Sequence, residues 1–342
     1  MSPTAAALPS PPAPLSAQSL FDDAIADDGL LSLALLAAAA ARIGQVFPPT
    51  PLVRSERLGA WLKLENLQTT GAYKVRGALN ALAAQCARGD RRAVYAASAG
   101  NHGLGVAWAA RHLGLAATVV VPHDAPTVKV AGCRALGARV VRGGDSFESC
   151  AARALAMADH DGGRFVHAFD DPEVIAGQST VAAELLALRP DVVVVPIGGG
   201  GLVAGMGSVL RRAGIRVVGV QVAGADALRR ALAGRAPKIG APAATLADGL
   251  RVATPGRLPL RIASAFLDEI IVVDEAAVAE AMVALALDER VVAEGAGAVA
   301  VAALPRLMGA RETGERRVAV VSGGNVDPAV LARVMGDAIP GA

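Results

Sequence analysis

From about residue 60 onward, short apolar runs alternate with longer Ala/Leu-rich stretches. The runs fall at 93–98, 118–121, 138–141, 191–197, 216–222, 270–273 and 317–322, and most are largely apolar. That is the pattern of strands buried on both faces of a parallel sheet. The segments between them, such as 101–113 and 275–288, are long enough for crossover helices. The alternation predicts an α/β fold with parallel-rich sheets flanked by helices. Upstream, Leu30, Leu31, Leu33, Leu35 and Leu36 lead into five alanines. This run of about a dozen residues is shorter than the roughly 18–20 a membrane-spanning helix needs. Asp22, Asp23, Asp27 and Asp28 precede it where a signal peptide carries positive charge, so it reads as an ordinary helix. Residues 1–17 are rich in Pro, Ala and Ser without charge, and are expected to form a disordered tail.

Composition narrows the classes. With 53% hydrophobic and 19% charged residues over 342 positions, the chain has ample material for two modest cores and is not a disordered protein. Thirty-three basic residues against 31 acidic ones leave a net +2, too little to drive binding to a phosphate backbone, so nucleic acid is not expected as a partner. Cys86, Cys133 and Cys150 form no C-x-x-C pair and the five histidines show no H-E-x-x-H spacing. Neither a disulfide framework nor a zinc site is supported, and buried thiols in a reducing cytoplasmic setting are expected.

Glycine-rich turns follow several of the strands, and ligands of open α/β sheets sit beyond the carboxyl ends of strands. Three turns stand out: 98–105, 198–201 and 322–325. In the second, an apolar strand runs into Gly198, Gly199, Gly200 and Gly201, then into a helical segment at 202–212. Backbone N–H groups of such a loop, with the helix N-terminus, form an anion cradle free of side chains. No Lys-Ser/Thr follows and the G-x-G-x-x-G spacing is missing, which excludes a Walker loop and a dinucleotide fingerprint. Lys74 precedes the apolar Ala78, Leu79, Ala81 and Leu82 at a predicted helix start. A cation there opposes the helix dipole, which favours the neutral amine that attacks a carbonyl cofactor. Ser98, Asn101 and the exposed amides of their turn could hold a carboxylate, and Ser322-Gly323-Gly324-Asn325 closes the last strand.

Taken in order along the chain, these segments resemble the threonine dehydratase/serine racemase branch of the fold-type II pyridoxal-phosphate enzymes. The likeness begins at Arg42-Ile43 and Thr50-Pro51-Leu52 and passes through Lys74 and the Ser98–His102 turn. It continues through Phe169-Asp170-Asp171-Pro172, Val174-Ile175-Ala176-Gly177-Gln178, the four glycines, Ala247-Asp248-Gly249 and Glu294-Gly295-Ala296-Gly297-Ala298, and ends at Asn325. The resemblance implies two domains, the smaller (93–168) inserted in a larger cofactor-binding one (18–92 and 169–342). It implies that Lys74 carries pyridoxal 5'-phosphate as a Schiff base and that Gly198, Gly199, Gly200, Gly201 and Leu202 wrap the phosphate. Asn101 would bond the ring hydroxyl and Ser322 would face the pyridine nitrogen. Ser98, Ala99, Asn101 and His102 would take the substrate carboxylate.

The implied activity is α,β-elimination from L-threonine, L-serine or a related β-hydroxy amino acid, giving a 2-oxo acid and ammonia. Asn101-His102-Gly103 departs from the N-T-G of sulfhydrylase-like relatives, and Ala99 stands where serine racemases place an acid/base serine. Racemase is therefore the second reading, beside β-elimination or β-replacement on a non-standard amino acid. An inactive cofactor scaffold would have lost Lys74, which is present. The family's Ser-Phe-Lys reads Ala72-Tyr73-Lys74 and its His-Pro-Phe-Asp reads His167-Ala168-Phe169-Asp170, which leaves the substrate open. The chain ends soon after residue 327, so feedback inhibition by isoleucine is not expected. Some relatives bind a divalent cation beyond the strand that ends near residue 221, through carboxylates at positions that here are Gln221 and Ala227. No metal, no activation by magnesium or calcium, and no loss with EDTA are expected. A homodimer is the expected assembly.

Overall fold

The computed structural model describes residues 24–98, 100–125, 127–236, 244–267, 269–308 and 314–338. The expected tail at 1–17 lies outside the described residues. Ten strands are described: β1 (Leu52–Ser55), β2 (Ala60–Leu64), β3 (Val94–Ala97), β4 (Ala117–Val121), β5 (Arg139–Arg142), β6 (Arg164–Phe165), β7 (Val192–Pro196), β8 (Arg216–Val222), β9 (Glu269–Val273) and β10 (Arg317–Val321). They form a six-stranded sheet in the order β1-β2-β10-β7-β8-β9 and a four-stranded sheet in the order β5-β4-β3-β6. β1 and β2 are antiparallel, and the other pairings are parallel. The strands of the second sheet all lie between Val94 and Phe165 in the chain.

The central strands show why their sequence pattern is continuous rather than alternating. On β7, Val193 and Val195 enter one apolar cluster while Val192 and Val194 enter another. On β10, Val318 and Val320 join the first cluster, and Ala319 and Val321 the second. Successive side chains point to opposite faces, and helices cover both. β1, β2 and β6 escape the sequence reading. β6 has two residues, and β2 carries Lys63 at a position only 1% exposed.

Lys63 is buried because its ammonium has partners. It donates to the Thr50 carbonyl at 2.7 Å and to the Glu184 carboxylate. Nearby, Arg76 is fully buried on the helix Lys74–Ala87. Its guanidinium makes two 2.8 Å bonds to Glu65, one of 2.6 Å to Glu184 and one of 3.2 Å to the Thr180 hydroxyl. Burial pulls its pKa down, but Glu65 and Glu184 outweigh that and raise it above the usual arginine value. This cluster ties the helix that begins at Lys74 to the 3-10 turn Glu65–Leu67 and to the end of the helix Pro172–Ala183. Removing one member leaves an uncompensated buried charge. Glu65→Gln is therefore expected to cost about 3–5 kcal/mol of unfolding free energy; a urea midpoint equal to that of wild type would refute this.

Candidate active site

A cavity of about 260 Å³ opens between the carboxyl ends of the two sheets. Turns after β3 (Ser98, Gly100) and β4 (Pro122) contribute one side, and the turn after β7 (residues 198–201) contributes another.

Lys74 is the first residue of its helix, as its sequence context suggests, and it lines the cavity. Its Nζ donates to the Ala168 carbonyl at 3.1 Å and lies 5.2 Å from the Tyr73 ring centre. The preceding turn is pinned to the end of β10, where the Tyr73 N–H donates to the Ser322 carbonyl at 3.2 Å.

The glycine loop lines the same cavity through Gly198, Gly199, Gly200, Gly201 and Leu202. The following helix runs Gly201–Leu210, so it starts on the fourth glycine and stops short of the expected residue 212. Its N-cap, Gly200, has φ +94° and offers no side-chain cap. A Cβ on Gly199 would lie 2.4 Å from the Phe169 ring, so only glycine lets the loop pass. A helix whose first N–H groups lack a side-chain cap presents them, and the positive end of its dipole, to an anion.

The Asn101 turn is more heavily committed than its sequence suggests. The Ser98 hydroxyl accepts from the Gly100 N–H at 3.0 Å. The Asn101 amide donates to Glu294 at 2.6 Å and accepts from Asn325 at 2.7 Å. His102 is 3% exposed, and its Nε2 lies 3.0 Å from the Val166 carbonyl, which requires the proton on Nε2. Burial, followed by the neighbouring Lys74 charge, pushes the His102 pKa down to about 3. Ser322 is 4% exposed and donates to the Ala296 carbonyl at 3.3 Å; it is not among the described residues lining the cavity. Ala99 lies outside the described residues.

His102 gives a pH prediction. Its native pKa lies far below the 6.5 of an unfolded histidine, so between pH 6.5 and 3 the unfolded chain takes up the proton and the native state does not. Stability therefore falls on acidification, by up to about 1.4 kcal/mol per pH unit from this group. Between pH 6.5 and 5, where carboxylates stay ionised, His102→Gln should show a flatter loss than wild type. Parallel slopes in chemical denaturation would contradict it.

Sequence reasoning missed several lining residues. Asp248 and Glu294 sit in motifs already noted, but nothing local assigns them a role, and Arg251 follows two residues after Gly249. Phe147 and Cys150 carry no sequence signal. Phe147, Phe169 and His167 pack together, with His167 4.6 Å from Phe169 between ring centres. Gln221 and Asp226 are engaged in the turn itself. The Gln221 amide donates to Ala225 and accepts from the Arg229 N–H, and Asp226 pairs with Arg229. Among the described residues, no group of three or more His, Cys, Asp or Glu side chains is placed to hold a metal ion. Nor is any helix among them long and apolar enough to cross a membrane.

The family described as "Pyridoxal-phosphate dependent enzyme" matches residues 43–324. The chain belongs to the pyridoxal-phosphate-dependent enzymes. It is 42% identical to the L-threonine ammonia-lyase of Thermotoga maritima over 281 residues, covering 80% of this chain and 69% of that protein. It is 38% identical to the catabolic L-threonine dehydratase of Escherichia coli K12 over 81% of this chain and 85% of that one. Among solved structures, a threonine deaminase from T.th. superposes with a TM-score of 0.80 at 38% identity, over 86% of this chain and 99% of that one. Maize serine racemase superposes with a TM-score of 0.80 at 30% identity, over 90% and 97%. These neighbours place this pyridoxal-phosphate-dependent enzyme in fold type II, in the threonine dehydratase/serine racemase branch.

The cavity fits the cofactor. Its glycine-lined helix terminus suits a phosphate that no Cβ obstructs, and Lys74 supplies in the same space the primary amine that an aldehyde requires.

Proposed function

We propose that this pyridoxal-phosphate-dependent enzyme is an ammonia-lyase. It would eliminate water from L-threonine, L-serine or a related β-hydroxy amino acid and release a 2-oxo acid and ammonia. One observation carries the reading: an amine at a helix start and an uncapped glycine helix terminus share one cavity, in a chain 42% identical to an L-threonine ammonia-lyase. When bound, the cofactor supplies the electron sink that stabilises negative charge at the substrate Cα. Lys74 would anchor it, and its amine would serve as the base that takes the substrate Cα proton. The backbone of residues 198–202 would hold the phosphate, and the Asn101 amide would donate to the ring oxygen. The turn that carries Ser98, Ala99 and His102 orients the substrate carboxylate, the neutral His102 leaving Lys74 as the base. Ser322, whose hydroxyl donates to the Ala296 carbonyl, would face the pyridine nitrogen, where an uncharged hydroxyl would keep the ring a weak sink and favour prompt loss of the β-hydroxyl. The released enamine hydrolyses to the oxo acid.

The same reading divides the chain into a large domain (18–92 and 169–342) and a small one (93–168), with the substrate between them. It also makes the protein a cytoplasmic homodimer. Leu67 and Val292, 60% and 49% exposed, are apolar side chains on the surface that a second copy would cover.

The test is direct. Purified protein with pyridoxal phosphate should absorb near the violet edge, shift on adding L-threonine or L-serine, and form 2-oxo acid. Accumulation of the D-amino acid without oxo acid would replace this reading by racemisation, which Ala99 disfavours because its methyl group donates no proton.

A further inference from the structure

Two residues outside the assigned set control the direction in which Asn101 points. An asparagine amide can be turned by half a rotation, exchanging its carbonyl oxygen for its NH₂ group. At Asn101 both ends are met. The amide NH₂ donates to the Glu294 carboxylate at 2.6 Å, and the amide oxygen accepts from the Asn325 NH₂ at 2.7 Å. Asn325 is itself directed, because its NH₂ also donates to the Thr70 carbonyl at 2.8 Å. A backbone carbonyl at one end and a carboxylate at the other are both acceptors only, so the two amides between them have a single satisfied arrangement. Turning Asn101 alone would set NH₂ against NH₂ and oxygen against carboxylate.

The chain leaves room for this. A Cβ on Gly71, at φ +73°, would lie 2.3 Å from the Asn325 amide oxygen, and one on Gly323 would lie 2.4 Å from the Glu294 carboxylate. Glu294 lines the cavity whereas Asn325 is not among its lining residues, so the NH₂ end of Asn101 is the cavity end. With one hydrogen given to Glu294, the other remains for a ligand.

We propose that Glu294 and Asn325 are positioning residues that hold the Asn101 amide with its N–H, not its oxygen, toward the ring oxygen of the cofactor. This rests on the reading that Asn101 faces that ring. A donor there stabilises the ionised ring oxygen, and an acceptor would oppose it.

The test exchanges donor and acceptor around Asn101; in the first variant the Thr70 carbonyl also loses its donor, whereas the second keeps the Asn325–Thr70 bond. In Asn325→Asp/Glu294→Gln the acceptor and the possible donor exchange ends, so Asn101 turns over and presents oxygen to the cavity. Asn101→Asp/Glu294→Gln presents oxygen by a second route. Both keep the net charge, and each apoprotein is titrated with pyridoxal phosphate.

Expected for both are cofactor affinity weaker by about tenfold or more and a pH midpoint of the bound cofactor's absorption higher by about one unit, and for Asn101→Asp/Glu294→Gln, which keeps the Asn325–Thr70 bond, an apoprotein melting temperature close to wild type. In the first variant the negative charge moves away from the cavity, which by itself would strengthen binding of an anionic cofactor. Weakening there reports the reversed amide.

Either folded double variant with wild-type affinity and pH midpoint overturns the proposal. Asn101→Ala, measured alongside, separates the two claims. If it binds cofactor as wild type does, Asn101 does not face the ring, and the reading beneath the proposal falls with it. If it is impaired while a double variant is not, only the orientation claim fails.

Discussion

Lys74→Ala should abolish deamination of L-threonine and L-serine while leaving the fold intact. The side chain opens the helix Lys74–Ala87, and among the described residues its one hydrogen bond is to the Ala168 carbonyl. Alanine is the best helix former, so the first turn keeps its backbone conformation. The buried cluster around Arg76, two residues on, is untouched. What disappears is the only amine lining the cavity among the described residues. Losing a positioned general base alone costs about 10²–10⁴ in rate, and loss of the covalent anchor adds to it. Circular dichroism and the urea midpoint should match wild type. Steady-state turnover at even about a tenth of wild type would remove Lys74 from the role proposed for it.

Gly199→Ala should weaken cofactor binding by about a hundredfold or more, which corresponds to about 2.7 kcal/mol. The added methyl would meet the Phe169 ring at 2.4 Å, far inside contact distance. That ring cannot step aside freely, because it packs against His167 at 4.6 Å and Phe147 at 6.0 Å between centres. Overpacking of this kind costs about 1–3 kcal/mol, and the strain is released by displacing the loop that lines the cavity. Gly44→Ala is the control, since a Cβ there meets nothing within 4 Å and lies at the end of another helix. Equal affinities for pyridoxal phosphate in the two variants would show that the loop does not hold the phosphate.

The family, the α/β architecture, and Lys74 and the glycines that line the cavity were legible along the chain because they are recorded locally. β7, β8 and β10 are buried on both faces, so their apolar runs are uninterrupted whatever packs against them. Four consecutive glycines are readable because only a backbone-lined turn tolerates them, and Lys74 is readable from its place before an apolar helical run. The edge strand β1 and the strand β2 were not legible. Lys63 makes β2 look polar, and its burial depends on Glu184, 121 residues away in sequence.

Long-range pairing decided the rest. Arg76 is buried because Glu65 and Glu184 close around it, and burying a charge is favourable only with partners that no local window contains. The orientation of Asn101 depends on Glu294 and Asn325, 193 and 224 residues away. Phe147 and Cys150 reach the cavity only because β3 and β4 lie beside each other in the second sheet and the helix Phe147–His160 packs on both. Periodicity along the chain reports which face is buried. It cannot report which hydrogen-bonding group waits on the other side, and that choice was made by the tertiary structure.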